Sequence, residues 1–589
     1  MEAGRVSGLS GVRSFSPSGP TRDVLDRMAA AQEHRGTDGF EAWVGPGVGL
    51  SGPVHSVDGR WVVVLDGRIH HLVRLRSHLN HRFRTDDPGE VVAAGLAVEG
   101  ISFVDRLQGA FSLVAHDLRA NTTYLVRDRL GVLPLHYRHL PGGIAFASEV
   151  KALLTVGAAP EVDHRSLDAY LAFRVVPAPD TLFEGVKTVR PAHRLAIMSG
   201  GHLEEVAWWS APETDPGGTW EADDAIEAVR DGVRVAVGSA LDPGVPTGVN
   251  LTGGLASSLL TAQAQQLCGE EPVHTYTVAF GDEDPDEQAR TGRLSSLLGT
   301  RHHVVRLHRD DLKDLWGPLT WHRDTPLSHA ADLATYVLAR AAGRHVSALL
   351  CAEGADELFG GQPRHRLAGL ARRSSVLNGL PSPVRSSLAQ RVERRLGATF
   401  SAAERRRLLG HAPTPERRTA PVVGVDDVDA DPGLRHGLRH TFPDDALQRL
   451  DRMSAAASLE VRLPLLDHRL VDLAFRLPTS ARSRAGCPSW VLREAARTLL
   501  PDEIIERRVP ERGAGSWWYA GHRDNIREHL TASDSWVAAT FDPTMLRELL
   551  HRHEHGGHEQ ERIWALVSLE IWHQTFFSDP PSVPRPRGT

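Results

Sequence analysis

Two glycine-bearing turns in this chain carry the residue types that phosphate and proton chemistry require. The first reads Thr252-Gly253-Gly254-Leu255-Ala256-Ser257-Ser258 and follows the apolar run Val245 to Leu251. Glycines let backbone amides approach an anion closely. Two serine hydroxyls and the amino terminus of a following helix add donors and a favourable dipole, so a pyrophosphate would fit. A Gly-Gly turn that merely joins a strand to a helix is the plain alternative. The second turn, Ala352-Glu353-Gly354-Ala355-Asp356-Glu357-Leu358-Phe359-Gly360-Gly361, follows Val346 to Cys351. Three carboxylates beside glycines at the end of a strand suit cation binding and proton transfer, with an acidic helix start as the bland counterpart.

Positioning two such turns calls for a parallel sheet, and the pattern after residue 219 predicts one. Apolar strands at Val245 to Leu251, His274 to Phe280 and Val346 to Cys351 alternate with helical periodicity at Ser257 to Leu267 and Ala331 to Ala342. Ligands of such sheets bind at the carboxyl ends of the strands. Before residue 210 the pattern differs. Short apolar runs such as Trp61 to Leu65 and Ile144 to Phe146, cut by Gly, Pro and Asp turns, predict a mostly β domain of packed sheets. A chain of 589 residues exceeds one compact core. The division expected is therefore 1–209, a Pro/Gly-bearing linker at 210–219, a second domain at 220–578 and a disordered Pro-rich tail at 579–589.

Bulk properties narrow the function classes. No stretch approaches the roughly 18 apolar residues of a membrane span, and the opening MEAGRVSGLSGVRSF has no secretory pattern, so a cytoplasmic protein is expected. A net charge of -7 gives no general attraction to nucleic acid. Cys268, Cys351 and Cys487 show neither disulfide nor zinc spacing and are expected to be reduced and mostly buried. Lysine is confined to Lys151, Lys187 and Lys313, which excludes any mechanism needing a lysine further along. The tract His551, His553, His555 and His558 with Glu554 and Glu559 reads as a surface turn rather than a zinc site.

The turn at Thr252 resembles the Ser-Gly-Gly-x-Asp-Ser-Ser pyrophosphate loop of the ATP pyrophosphatase superfamily, as used by asparagine synthetase. The segment at Glu353 resembles that family's Gly-Glu-Gly-Ala-Asp-Glu-Leu-Phe-Gly-Gly. Asp451 to Ser454, Ser458 to Arg469, Trp490 to Ala495 and Leu500 to Ile505 extend the likeness, as does Asp286-Glu287 in the region where the family binds adenosine. Earlier blocks at Glu33 to Gly39, Asp66 to Ile69, Arg127 to Gly131 and Ala147 to Glu149 are similar to the glutamine-hydrolysing domain. The resemblance implies an α/β and α+β two-domain fold, with an amino-terminal Ntn-like β-sandwich glutaminase-type domain and then a parallel-sheet ATP pyrophosphatase (PP-loop) synthetase domain.

It also implies ATP and magnesium. Leu251, Thr252, Gly253, Gly254, Ala256, Ser257, Ser258, Val278 and Gly354 would hold the nucleotide, Asp356 the metal, and Glu353 would take the proton from an attacking amine. Glu460, Arg462 and Asp467 are read as shaping the site. Two departures bear on activity. Ala256 stands where the family has a magnesium-holding aspartate, in a loop otherwise intact; a recent loss and a deliberate substitution are both open readings. Ser489 and the segment Arg507 to Gly513 stand where the family carries lysines, which makes Arg508 and Arg512 candidates to meet phosphate charge.

The glutaminase half lacks its nucleophile. Ser7, with residues ahead of it, occupies the place of an amino-terminal cysteine, and no cysteine precedes Cys268. Loss of that cysteine resembles the β-lactam and carbapenam synthetases and the lasso peptide macrolactam synthetases. The lasso type is favoured, with a precursor peptide as substrate and a leader-binding protein and leader peptidase as further partners. Arginines from Arg364 to Arg407 could hold a peptide or a partner, against the reading of a solvated surface. A small-molecule cyclase and a non-catalytic peptide-binding member are the alternatives.

Overall fold

The computed structural model describes residues 8–16, 19–35, 41–212, 220–281, 285–360, 398–410, 438, 442–482, 487–506 and 517–578. Part of the expected linker (213–219) and the tail (579–589) lie outside them. In the amino-terminal half the strands are β1 (Ser10–Ser14), β2 (Ala42–Gly45), β3 (Val48–Ser51), β4 (Val54–His55), β5 (Trp61–Ile69), β6 (Gly109–Asp117), β7 (Thr122–Arg127), β8 (His136–Leu140), β9 (Gly143–Ala147), β10 (Val186–Thr188), β11 (His193–Ile197) and β12 (Leu203–Ala207). They form two six-stranded antiparallel sheets, ordered β10-β8-β9-β1-β3-β2 and β12-β11-β7-β6-β5-β4.

The unbroken apolar run of β5 has a physical cause. Successive strand residues face opposite sides of a sheet. Val62 and Val64 enter the core between the sheets with Leu50, Val114 and Phe146, while Trp61, Val63 and Leu65 pack under the helix Pro88–Glu99 with Val91 and Phe103. Both faces are dry, so polar alternation is absent.

The second half holds β13 (Thr247–Asn250), β14 (His274–Phe280), β15 (Arg301–Leu307), β16 (Ala348–Leu350) and β17 (Glu460–Arg462) in one parallel sheet of order β15-β14-β13-β16-β17. Helices cover both faces. Val249 and Leu350 pack with the helices Ala222–Ala240 and Leu255–Cys268, whereas Tyr276 and Leu349 pack with Ala331–Ala342. β14 and the last helix match the ranges expected from sequence. β13 begins two residues late because Pro246 has no amide to donate. From β13 the chain steps outward to β14 and β15, then returns to the other flank of β13 as β16, so the winding reverses between β13 and β16.

The halves share one apolar cluster, in which Met28, Val150 and Leu153 join Trp316, Leu333 and Trp564. Among the described residues no helix is long and apolar enough to cross a membrane. The three cysteines are free, but the expectation that they are mostly buried is corrected: Cys351 is buried, Cys487 half-buried and Cys268 exposed, because Cys268 ends its helix at the surface.

Candidate active site

β13 delivers Leu251, whose amide donates to the Tyr276 carbonyl at 2.8 Å, and the chain then leaves the sheet as a mostly half-buried turn. Gly253 has φ +75, a conformation that strains residues with a side chain. Gly254 precedes the helix Leu255–Cys268, whose first amides lack intrahelical partners and face the turn. Hydroxyls tie the turn together. Ser257 Oγ accepts from the Thr252 amide at 3.2 Å and lies 2.9 Å from Thr252 Oγ1, while Ser258 Oγ donates to the Gly254 carbonyl at 2.8 Å. Ser257 and Ser258 are buried, and the proton of Ser258 is spent inside the loop. Thr252 is exposed. Val278 of β14 follows in register beside Thr252, since Asn250 pairs with Tyr276.

On the other side of the reversal, Val249 pairs with Leu350, so the ends of β13 and β16 are neighbours about 4.8 Å apart. Burial pushes the Cys351 thiol at the end of β16 well above its usual range. Glu353 and Gly354 follow immediately. Gly354 has φ +100, and a Cβ there would sit 2.2 Å from Leu466 Cδ2, so only glycine allows this turn. Glu353 and Asp356 are half-buried, and Asp356 lies in the first turn of the short helix Ala355–Phe359. Burial raises the Glu353 pKa above the ordinary carboxylate value, and the Arg449 guanidinium pulls it back.

Arg449 is the residue that sequence reasoning missed. It lies in the helix Gln448–Ala455, with Asp445 3.8 Å away. Burial opposes ionisation of Asp445, but His329, Arg449 and Arg323 outweigh it and hold the carboxylate well below its usual range. Nothing in spacing marks Arg449 among so many arginines; its approach to Glu353 is a product of the tertiary fold. Arg508, Arg512, Ser7 and the segment 361–397 lie outside the described residues, as do the side chains of Asp286 and Glu287. Of the arginines after 397, Arg405 pairs with Asp168 at 2.8 Å and Arg407 with Glu548 at 2.9 Å, which is the behaviour of an ion-paired surface. Glu460 and Arg462 pair with each other, and Asp467 caps the helix His468–Arg476 and holds Arg469.

A charged network joins this region to the first half. Arg35 grips Asp451 with two hydrogen bonds of 2.6 and 3.0 Å and contacts Glu149 at 3.1 Å. Arg452 meets Glu149 at 2.8 Å and Asp324 at 3.4 Å, and Lys151 bridges Glu149 and Asp324. All these side chains are buried.

A parallel sheet whose reversal point brings together a glycine-serine turn and a carboxylate segment, fused to a two-sheet sandwich, is the fold combination of the ATP-dependent carbon–nitrogen ligases of the amidotransferase kind. Residues 228–574 match the family model Asparagine synthase, and residues 6–209 match Glutamine amidotransferase domain. The chain belongs to the asparagine synthase family. Its similarity to asparagine synthetase [glutamine-hydrolyzing] 1 of Bacillus subtilis is 26% identity over 96% of each chain. A putative asparagine synthetase of Mycobacterium tuberculosis is 29% identical over 89% of this chain and 86% of that protein. Amidase chry2 of Gibberella zeae is 26% identical over 86% and 88% respectively.

Proposed function

We propose that this chain is an ATP-dependent macrolactam synthetase of the lasso peptide type, acting on a ribosomal precursor peptide. The observation that supports ATP-dependent ligation is the reversal between β13 and β16, where ligands of open α/β sheets bind and where the turn at Thr252 lies beside Glu353; the lasso type rests on the absence of any cysteine before Cys268. An Asp or Glu side-chain carboxylate of the precursor attacks the α-phosphorus of ATP, and pyrophosphate leaves. The amine at the peptide's own amino terminus, having given its proton to Glu353, then attacks the acyl carbonyl, and AMP leaves. Burial raises the Glu353 pKa and so makes it a stronger base than an ordinary carboxylate, which suits a group that takes a proton from an amine.

The free φ of Gly253, the helix-terminal amides and the exposed Thr252 fit the phosphates of ATP. Magnesium would be held by Asp356 with phosphate oxygens and water completing its shell, as magnesium sites with few carboxylates do, and would neutralise phosphate charge. Ala256 supplies no oxygen and packs against the apolar cluster behind the loop. That packing favours a second reading, in which the chain binds a peptide without turning over nucleotide.

Glutamine-derived ammonia is not part of this account, since no cysteine precedes Cys268 and the attacking amine belongs to the peptide. The first half serves as a brace through Arg35, Glu149 and Lys151. A leader-binding protein and a leader peptidase would deliver the trimmed precursor. The test is release of AMP and pyrophosphate with a candidate precursor. Peptide-dependent AMP and a product lighter by one water support the cyclase. Peptide binding without AMP, even after Ala256→Asp, supports the second reading and sinks the first.

A further inference from the structure

We propose that His274, His303 and His345 bind a divalent transition metal ion, zinc in the first instance, at the end of the parallel sheet remote from the candidate active site. His274 opens β14, His303 lies in β15 in register with Tyr276, and His345 stands between the helix Ala331–Ala342 and β16. In a parallel sheet these are amino ends, whereas Thr252 and Glu353 follow carboxyl ends. The length of β14, at about 3.3 Å per residue, separates the two regions by about 20 Å.

One ring nitrogen from each histidine lies within 4.8 Å of the other two. His274 Nδ1 and His303 Nε2 are joined by a ring–ring hydrogen bond of 3.0 Å, which a bound ion would replace, since two imidazoles on a tetrahedral zinc with bonds of about 2.0 Å hold their nitrogens ~3.3 Å apart. Ring centroids stand 5.1, 4.8 and 5.5 Å apart, with Tyr276 against His303 at 4.8 Å as a floor. The rings are near-parallel, so each turns about its Cβ–Cγ bond to aim a lone pair at a shared ion; that torsion is broad in histidine. His274 and His303 are half-buried and His345 is exposed, which leaves the fourth position open to water.

Arg301 opposes a cation here, and Glu271 favours one. Imidazole is a preferred donor for zinc, copper and nickel. A second group among the described residues, His70 and His468 about Asp467, carries no such proposal because Arg469 already occupies that carboxylate. A metal at the first cluster would staple β14, β15 and the approach to β16 together at their amino ends.

The test uses the full chain, stripped with a chelator and titrated with zinc by calorimetry. A single site is expected, weakened by more than about 100-fold in His303→Ala/His345→Ala, beyond the loss of a merely supporting residue. His345→Ala alone, at an exposed position, is expected to weaken zinc binding while leaving the metal-free melting temperature unchanged. Cobalt substitution should give a tetrahedral absorption band that both variants lose. Equal zinc affinity in wild type and variants would overturn the proposal. So would loss of binding on His551→Ala/His555→Ala instead, or the absence of any zinc binding by the wild type.

Discussion

Glu353 and Arg449 are the residues on which the proposed proton transfer depends. On the proposed function, replacing Glu353 with Gln removes the proposed proton acceptor but leaves the turn at Thr252, so carboxylate-dependent exchange between ATP and labelled pyrophosphate should persist while lactam formation falls by about 10²- to 10⁴-fold. Loss of both activities together would place Glu353 in adenylation instead. Arg449 lowers the Glu353 pKa that burial raises. In Arg449→Met that pKa rises further, Glu353 stays protonated to higher pH, and the acidic limb of the rate profile moves to higher pH. An unmoved limb would show that another group is the base. Ala256→Asp should raise AMP formation by restoring an oxygen beside the phosphates, read as a lower magnesium requirement. The two turns were legible because glycine, serine and carboxylate at strand ends are local signals. Arg449 was not, since its partner is more than ninety positions away.

The end of the short pair β13 and β16 positions Glu353 through Gly354. Gly354 is held at φ +100 against Leu466. Gly354→Ala should destabilise the protein by about 1–3 kcal/mol through strain and overlap, displacing Glu353 and lowering lactam formation more than melting temperature. Normal activity would mean that Leu466 yields freely. β14 and the helix Ala331–Ala342 matched their expected ranges because their apolar periodicities run uninterrupted from end to end. β13 and β16 were shorter than expected, since apolar residues at Val245 and Val346 continue past the hydrogen-bonded ladder: Pro246 cannot donate, and its carbonyl instead accepts from the Ser347 amide at 2.8 Å. The reversal of winding was beyond the reach of sequence patterning. Alternating strands and helices give a parallel sheet but not the order of its strands.

For the whole molecule, the buried charges at the junction are the feature composition could not reveal. Glu149 is held well below the usual carboxylate range; burial opposes its ionisation, and His34, Lys151 and Arg452 outweigh that. Arg35→Met removes the two-pronged partner of buried Asp451 in a dry interface and should cost about 3–5 kcal/mol in a denaturant titration. A loss below about 1 kcal/mol would show that water reaches the network. Acid should destabilise the fold as well. Burial lowers His70, His116 and His468 to about 4 from the ordinary 6.5, so the unfolded chain takes up protons first; their stability is intact above pH 6.5 and is lost as pH falls through about 4. Asp444, raised by burial to about 6, works in the opposite direction as pH falls, but it is one group against three. Melting temperature should therefore drop between pH 7 and pH 5, and a flat profile would contradict this.

The most direct measurement follows a heavy-oxygen label placed in the acceptor carboxylate of a candidate precursor peptide. Carboxylate adenylation predicts that one labelled oxygen appears in the phosphate of AMP, in step with lactam formed. Lactam accompanied by unlabelled AMP, or by ADP and labelled phosphate, would contradict the account that adenylate chemistry occurs between the turn at Thr252 and the segment at Glu353.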